Sequence, residues 1–183
     1  MVIDPLSASI QMHSDEIDYV AQLISNMNST GLFVEWGSGA STVHWANALQ
    51  HQQTMISIEH DILWWRKVSD HLKNYPELSN KIKYVLSPNK HGYVHKYGLI
   101  AEEHPYGLDE YMFPITEIFN GDIFFIDGIG RATIAILLKF MANKSDSIIM
   151  IHDYYGREHW YSWATQHFSK IEKVGKTLAR LYR

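Results

Sequence analysis

Short apolar runs rich in β-branched and aromatic residues alternate with longer amphipathic stretches along this chain, and that alternation narrows its folds more than any other feature. Residues 32–36, 55–59, 82–86, 123–127 and 148–152 read as strands, with helices over 41–49, 62–75 and 131–141 and a leading helix over about 15–27. Strands joined through helices pair in parallel, because a parallel neighbour is reached only by a crossover. Such a sheet is covered by helices on both faces, which explains why the strand runs are apolar throughout rather than alternating. After a further helix over 158–167, residues 170–174 and 176–182 flank Gly175 and read as a hairpin. This adds an antiparallel edge to a mostly parallel sheet, with 176–182 as the terminal strand whose edge could pair or be guarded by its Lys and Arg residues. The expected class is α/β, Rossmann-like and doubly wound.

With 183 residues, 46% of them hydrophobic, the chain fits one domain with a real core, expected over residues 1–183 with an N-terminal helical segment over 1–30. The formal net charge is −4 and no Lys/Arg cluster stands out, so neither nucleic acid nor an anionic membrane is expected as partner. A small-molecule or sugar-like ligand fits better. The absence of cysteine excludes disulfides, thiolate nucleophiles and Cys-based zinc sites. The first residues lack signal-peptide character and no apolar run approaches the ~20 residues of a membrane span, which gives a cytoplasmic expectation. Monomer and homodimer are both compatible with these features.

Residues 88–114 break the rhythm, being rich in Gly, Pro, His and Tyr without clear periodicity. A long irregular stretch in a small domain is usually functional, so it reads as a substrate lid, with Tyr93 and Tyr97 free to line a pocket.

The turn Gly37-Ser38-Gly39 follows a strand ending in Glu35-Trp36 and precedes a helix whose start Ser41 and Thr42 would cap. Glycines allow a ligand close to the backbone, and helix N-termini offer free amides. The next strand ends at Glu59, about 20 residues on, where an acid accepts hydrogen bonds from ribose hydroxyls. A dinucleotide fingerprint would want a third glycine where Thr42 stands, and an ionised Glu35 beside the turn would repel a pyrophosphate. The same charge suits a ligand carrying an ammonium and a sulfonium.

These residues resemble the class I S-adenosylmethionine-dependent methyltransferases, in particular a group whose first motif reads Glu-Trp-Gly-Ser-Gly-x-Ser-Thr. Glu35 to Thr42 carries that motif, Ile58-Glu59-His60-Asp61 the second, Phe125-Ile126-Asp127-Gly128 with Arg131 the fourth strand end, and Ile151-His152-Asp153-Tyr154 with Arg157 the fifth. The resemblance implies a seven-stranded sheet with S-adenosylmethionine over its first two strands. It puts Glu35 near the methionine moiety, Gly37, Ser38, Gly39, Ser41 and Thr42 along the cofactor, and Glu59 on the ribose. His60, Ser87, Asp127 and Gly128 would be further cofactor neighbours.

Asp127, His152 and Asp153 close adjacent strands and would meet in the same crevice. Methyl transfer to an oxygen benefits from a general base, for which His152 is the natural choice by its pKa, with Asp153 or Asp127 as orienter or alternative base. Arg131, Tyr154 and Arg157 would face the acceptor, although either arginine could instead pair with a strand-end acid. A divalent ion on Asp127 and Asp153 would lack a third oxygen ligand, since Tyr154 follows the second acid, so no catalytic metal is expected. The leading expectation is O-methylation of a small molecule or glycan. The alternatives are an inactive methyltransferase-like module that only binds the cofactor, and an oxidoreductase using NAD or a nucleotide sugar.

Overall fold

The computed structural model describes residues 10–88 and 109–183. Helix α1 (Ser14–Ser25) leads into β1 (Leu32–Trp36), α2 (Ala40–Ala48), β2 (Thr54–Glu59) and α3 (Ile62–Leu72). The single turn α4 (Pro76–Ser79) precedes β3 (Ile82–Leu86). A second single turn, α5 (Asp109–Met112), and a 3₁₀ turn (Thr116–Asn120) lead to β4 (Ile123–Ile126). Then follow α6 (Arg131–Met141), β5 (Ile148–Ile151), α7 (Glu158–Thr165), β6 (Lys170–Val174) and β7 (Leu178–Tyr182).

The seven strands form one sheet in the order β3-β2-β1-β4-β5-β7-β6, parallel from β3 to β5, with β7 antiparallel to both β5 and β6. The α/β expectation therefore holds, with one correction: the terminal strand is not the edge. β7 is inserted between β5 and β6 because Leu178, Ala179 and Leu181 are all buried, whereas the Lys-bearing β6 can tolerate the rim. A lysine-bearing edge strand resists pairing with another chain.

Alternate residues of each central strand serve opposite layers. Phe33, Ile123 and Phe125 pack with Trp45 of α2 and with Val20 and Ile24 of α1. Val34, Trp36, Phe124 and Ile126 pack on the other face with Ile134, Ala135 and Leu138 of α6 and Tyr161 of α7. Each large side chain so buried contributes roughly 1.5–3 kcal/mol.

Several expected boundaries shift for local reasons. The helix after the glycine turn starts at Ala40, so Ser41 and Thr42 lie inside it, not at its cap. Gly39 is the N-cap residue, and its N–H donates to the Thr42 hydroxyl at 2.9 Å. The helix over 62–75 ends at Leu72, and Pro76 begins a separate turn, a position its missing N–H suits. β4 and β5 stop one residue early, which leaves Asp127, His152 and Asp153 just beyond their strands. Most of the expected lid, residues 89–108, lies outside the described residues, but its last part is not irregular, since it forms α5.

An acid that the sequence reading overlooked ties the two ends of the domain together. Glu16 of α1 is fully buried and accepts the backbone N–H groups of Lys176, Thr177 and Leu178 at 2.9, 2.5 and 3.0 Å, and the Thr177 hydroxyl at 3.0 Å. Burial alone would raise its pKa, but these donors, with that of His13, hold it below the usual carboxylate range.

No helix among the described residues is long and apolar enough to cross a membrane.

Candidate functional site

The strand order reverses between β1 and β4, and in open α/β sheets ligands bind beyond the carboxyl ends of the strands at that point. Gly37 forms the floor there with φ +87°, which favours glycine, and a Cβ on it would come within 2.5 Å of the Gly128 nitrogen. The turn after β1 and the turn after β4 are thus in backbone contact.

Glu59 closes β2 with its side chain under the glycine turn. One oxygen accepts the Ser38 N–H and hydroxyl, each at 3.0 Å, and the other accepts the N–H groups of His60 and Asp61 at 2.7 and 2.8 Å. Burial works to raise its pKa, but the donors around it, His60 foremost, hold it low. The Ser38 hydroxyl also meets the Tyr84 hydroxyl at 2.6 Å, and the Trp64 indole N–H donates to the Ser38 carbonyl at 2.5 Å. Asp61 serves α3 as its N-cap, accepting from Leu63 and Trp64. The Ser87 hydroxyl donates to the Glu110 carbonyl at 2.6 Å.

Glu35 differs from the expectation of an ionised carboxylate beside the turn. It is 0% exposed and tucked beneath the start of α2, accepting hydroxyls from Ser41 at 2.8 Å, Thr42 at 2.6 Å and Ser57 at 2.7 Å. Burial dominates over these three donors and pushes its pKa up to about 7. Ser41 and Thr42 likewise spend their hydroxyls on this acid, which sits in the scaffold under the crevice.

Beyond β4 and β5 the expected constellation forms. Asp127 contacts His152 Nδ1 at 2.7 Å, and His152 Nε2 lies 3.9 Å from both Asp153 and Glu16. His152 is 3% exposed, and burial disfavours its charged form. The Asp127 contact and the charges of Asp127 and Asp153 prevail and raise its pKa. Asp153 adopts φ 52°, the left-handed region that non-glycine residues seldom occupy, and is the one such residue among those described. Strained positions of this kind cluster at functional sites. Beside it a hollow of about 290 Å³ is lined by Ile10, Gln11, Met12, His13, Asp153 and Thr177.

The expected acceptor contacts fare unevenly. Arg131 braces the site: its Nε donates to the Gly128 carbonyl at 2.8 Å, another nitrogen to the His152 carbonyl, and it stands 3.4 Å from Asp127 and 3.6 Å from Asp153. Tyr154 does not face the crevice. It is buried, its hydroxyl 3.1 Å from that of Thr165 and its ring stacked on Tyr161, because the chain turns it into the packing of α7. Arg157 is exposed, 3.4 Å from Asp153 and over the Trp160 ring. Tyr93 and Tyr97 lie outside the described residues.

Asp127, His152 and Asp153 bring one ligand atom each within 4.8 Å of one another, a donor set that includes a nitrogen not counted among the oxygen ligands. The set suits a divalent ion poorly. The Arg131 guanidinium stands 3.4 Å from Asp127 and 3.6 Å from Asp153, and a dication between the carboxylates would be repelled by it.

The site also contains residues the sequence reading passed over. Tyr84 meets the glycine turn through Ser38, Tyr111 of α5 reaches the turn after β4, and residues 10–13 wall the hollow beside Asp153. Glu16 had a readable signal: it falls on the same helical stripe as Val20 and Ile24, where an apolar residue is expected.

No protein-family model and no curated protein matches the chain. Its fold, however, is shared with solved methyltransferases. A methyltransferase from Geobacter sulfurreducens is 14% identical with a TM-score of 0.64, over 94% of this chain and 80% of that one. A candidate caffeoyl-CoA O-methyltransferase from Staphylococcus aureus is 14% identical with a TM-score of 0.64, over 97% and 88%. An RNA methyltransferase from Salinibacter ruber, solved with S-adenosylhomocysteine, is 15% identical with a TM-score of 0.56, over 93% and 92%. The architecture is the Rossmann-like fold of class I methyltransferases.

Proposed function

We propose that the chain is an S-adenosylmethionine-dependent methyltransferase acting on a hydroxyl of a small molecule or glycan. The observation that carries this is the meeting, at one switch point, of the Gly37–Gly39 turn, the acid-tipped β2 and the Asp127–His152–Asp153 cluster. The first two suit an adenosyl group and the third suits an acceptor hydroxyl. Glu59 and the turn would hold the nucleoside, with Glu59 exchanging the Ser38 hydroxyl for those of the ribose.

When bound, the cofactor supplies an electrophilic methyl carbon and a sulfur that leaves as a thioether, so the protein's task is alignment and proton removal. The acceptor oxygen would take the methyl group as the carbon–sulfur bond broke, and its proton would pass to a carboxylate of this chain. Asp153 suits that role, with its side chain 33% exposed at the edge of the hollow. His152, 4% exposed at its side chain and engaged with Asp127, acts as a positioning residue, a change from its expected part as the base. Arg131 keeps the two carboxylates apart and oriented.

Transfer of labelled methyl from S-adenosylmethionine to a panel of phenols, alcohols and oligosaccharides tests this. The expected result is labelling of at least one hydroxyl acceptor, lost in Asp153→Asn. Tight cofactor binding with no acceptor labelled would favour a module that only binds.

A further inference from the structure

Tyr111 lies where a ligand of this crevice would have to go. It is carried by α5, yet its hydroxyl reaches the turn after β4, so close that a Cβ on Gly128 would fall 1.8 Å from it. Its ring meets the His60 ring edge-on at 5.3 Å, at the tip of β2. β1 lies between β2 and β4 in the sheet, so the side chain, which packs with the core residues Trp36 and Ile126, bridges from the tip of β2 to the turn after β4. Its burial is almost complete, at 1% exposure, although it stands at the ligand-binding end of the sheet.

The segment that carries it is fastened at the remaining strand tip, where the Ser87 hydroxyl donates to the Glu110 carbonyl. Contacts with the tips of β2, β3 and β4 thus belong to one four-residue turn. These are the positions of His60, Ser87 and Gly128, which the resemblance would place beside an adenosyl ligand. A single helical turn has little stability of its own and depends on such contacts to stay in place.

We propose that Tyr111 is an internal occupant of the adenosyl site, which leaves the crevice when the nucleoside enters; this rests on the methyltransferase reading. The missing Cβ at Gly128 serves both states, admitting the tyrosine hydroxyl in one and the cofactor in the other. The cofactor's apparent affinity is reduced by the fraction of molecules in which the site is filled from within.

Hydrogen–deuterium exchange of the full chain with and without S-adenosylhomocysteine tests the proposal, together with calorimetric affinity of the wild type and Tyr111→Ala. Displacement predicts slower exchange of amides 37–42 and faster exchange of amides 110–113 on binding, with about tenfold tighter binding in Tyr111→Ala. Binding by the variant alone would support it in its strongest form. Protection or no change at 110–113 beside a protected turn would overturn it and leave the methyltransferase reading standing. Absence of binding and of any change at 37–42 in both proteins would overturn that reading, and the proposal with it. Should Tyr111→Ala fail to fold, the exchange pattern of the wild type decides.

Discussion

At the tips of β1 and β2, Glu35 and Glu59 are buried and their oxygens are met by hydroxyls and backbone amides. At the tips of β4 and β5, Asp127 and Asp153 stay partly exposed, with side chains 27% and 33% accessible, and face Arg131 and Arg157. The first half of the crevice is built from neutral donors, so it can be exchanged donor for donor by ribose hydroxyls without moving charge through a low dielectric. The second half leaves its carboxylates partly exposed, with the Arg131 and Arg157 guanidiniums beside them. On the proposed function, the first half would bind the cofactor and the second would take the proton.

This division can be broken from either side. Asp153→Asn should lower turnover by roughly 10²–10⁴-fold, as for loss of a general base, with S-adenosylhomocysteine affinity essentially unchanged in calorimetry. A matched loss of affinity would place Asp153 in the binding half. Glu59→Ala should do the reverse, weakening S-adenosylhomocysteine by about 100-fold, because the ribose hydroxyls would lose a charged acceptor worth roughly 1.5–3 kcal/mol per hydrogen bond.

The two acids of the binding half should also separate by pH. Glu35 is raised to about 7 from the ordinary 4.5, so the folded state holds its proton more tightly than the unfolded chain. Its contribution is fully present below pH 4.5 and is lost as pH rises through about 7, amounting to about 3 kcal/mol by the shift. Urea denaturation of Glu35→Gln against pH should lack this decline, while the wild type retains it. The smallest effect is expected from chelation. EDTA should leave methyl transfer within about twofold, since Arg131 occupies the charge position a metal would need; a large loss restored by magnesium would refute that.

Much of this was legible in the sequence, because strand and helix periods, the glycine turn and the strand-end acids are local patterns. The hairpin around Gly175 was readable too, but which of its strands joins β5 depends on burial across the sheet, decided by Leu178, Ala179 and Leu181. Tyr154 looked like an acceptor contact from its place after Asp153, yet side-chain direction after a left-handed residue is set by tertiary packing. The protonation of Glu35 was out of reach for a related reason: the three hydroxyls it meets beneath α2 and the burial that raises its pKa come from the fold. Glu16 shows that an acid on an apolar stripe is itself a signal, here of buried backbone amides elsewhere in the chain.

The central claim is that the crevice over β1 and β4 takes an S-adenosyl ligand and not a dinucleotide. Isothermal titration of the full chain with S-adenosylhomocysteine and, separately, with NAD measures this directly. The account predicts saturable binding of S-adenosylhomocysteine at one site per chain, weakened about 100-fold in Glu59→Ala, and no heat with NAD. Binding of NAD with none of S-adenosylhomocysteine would contradict it.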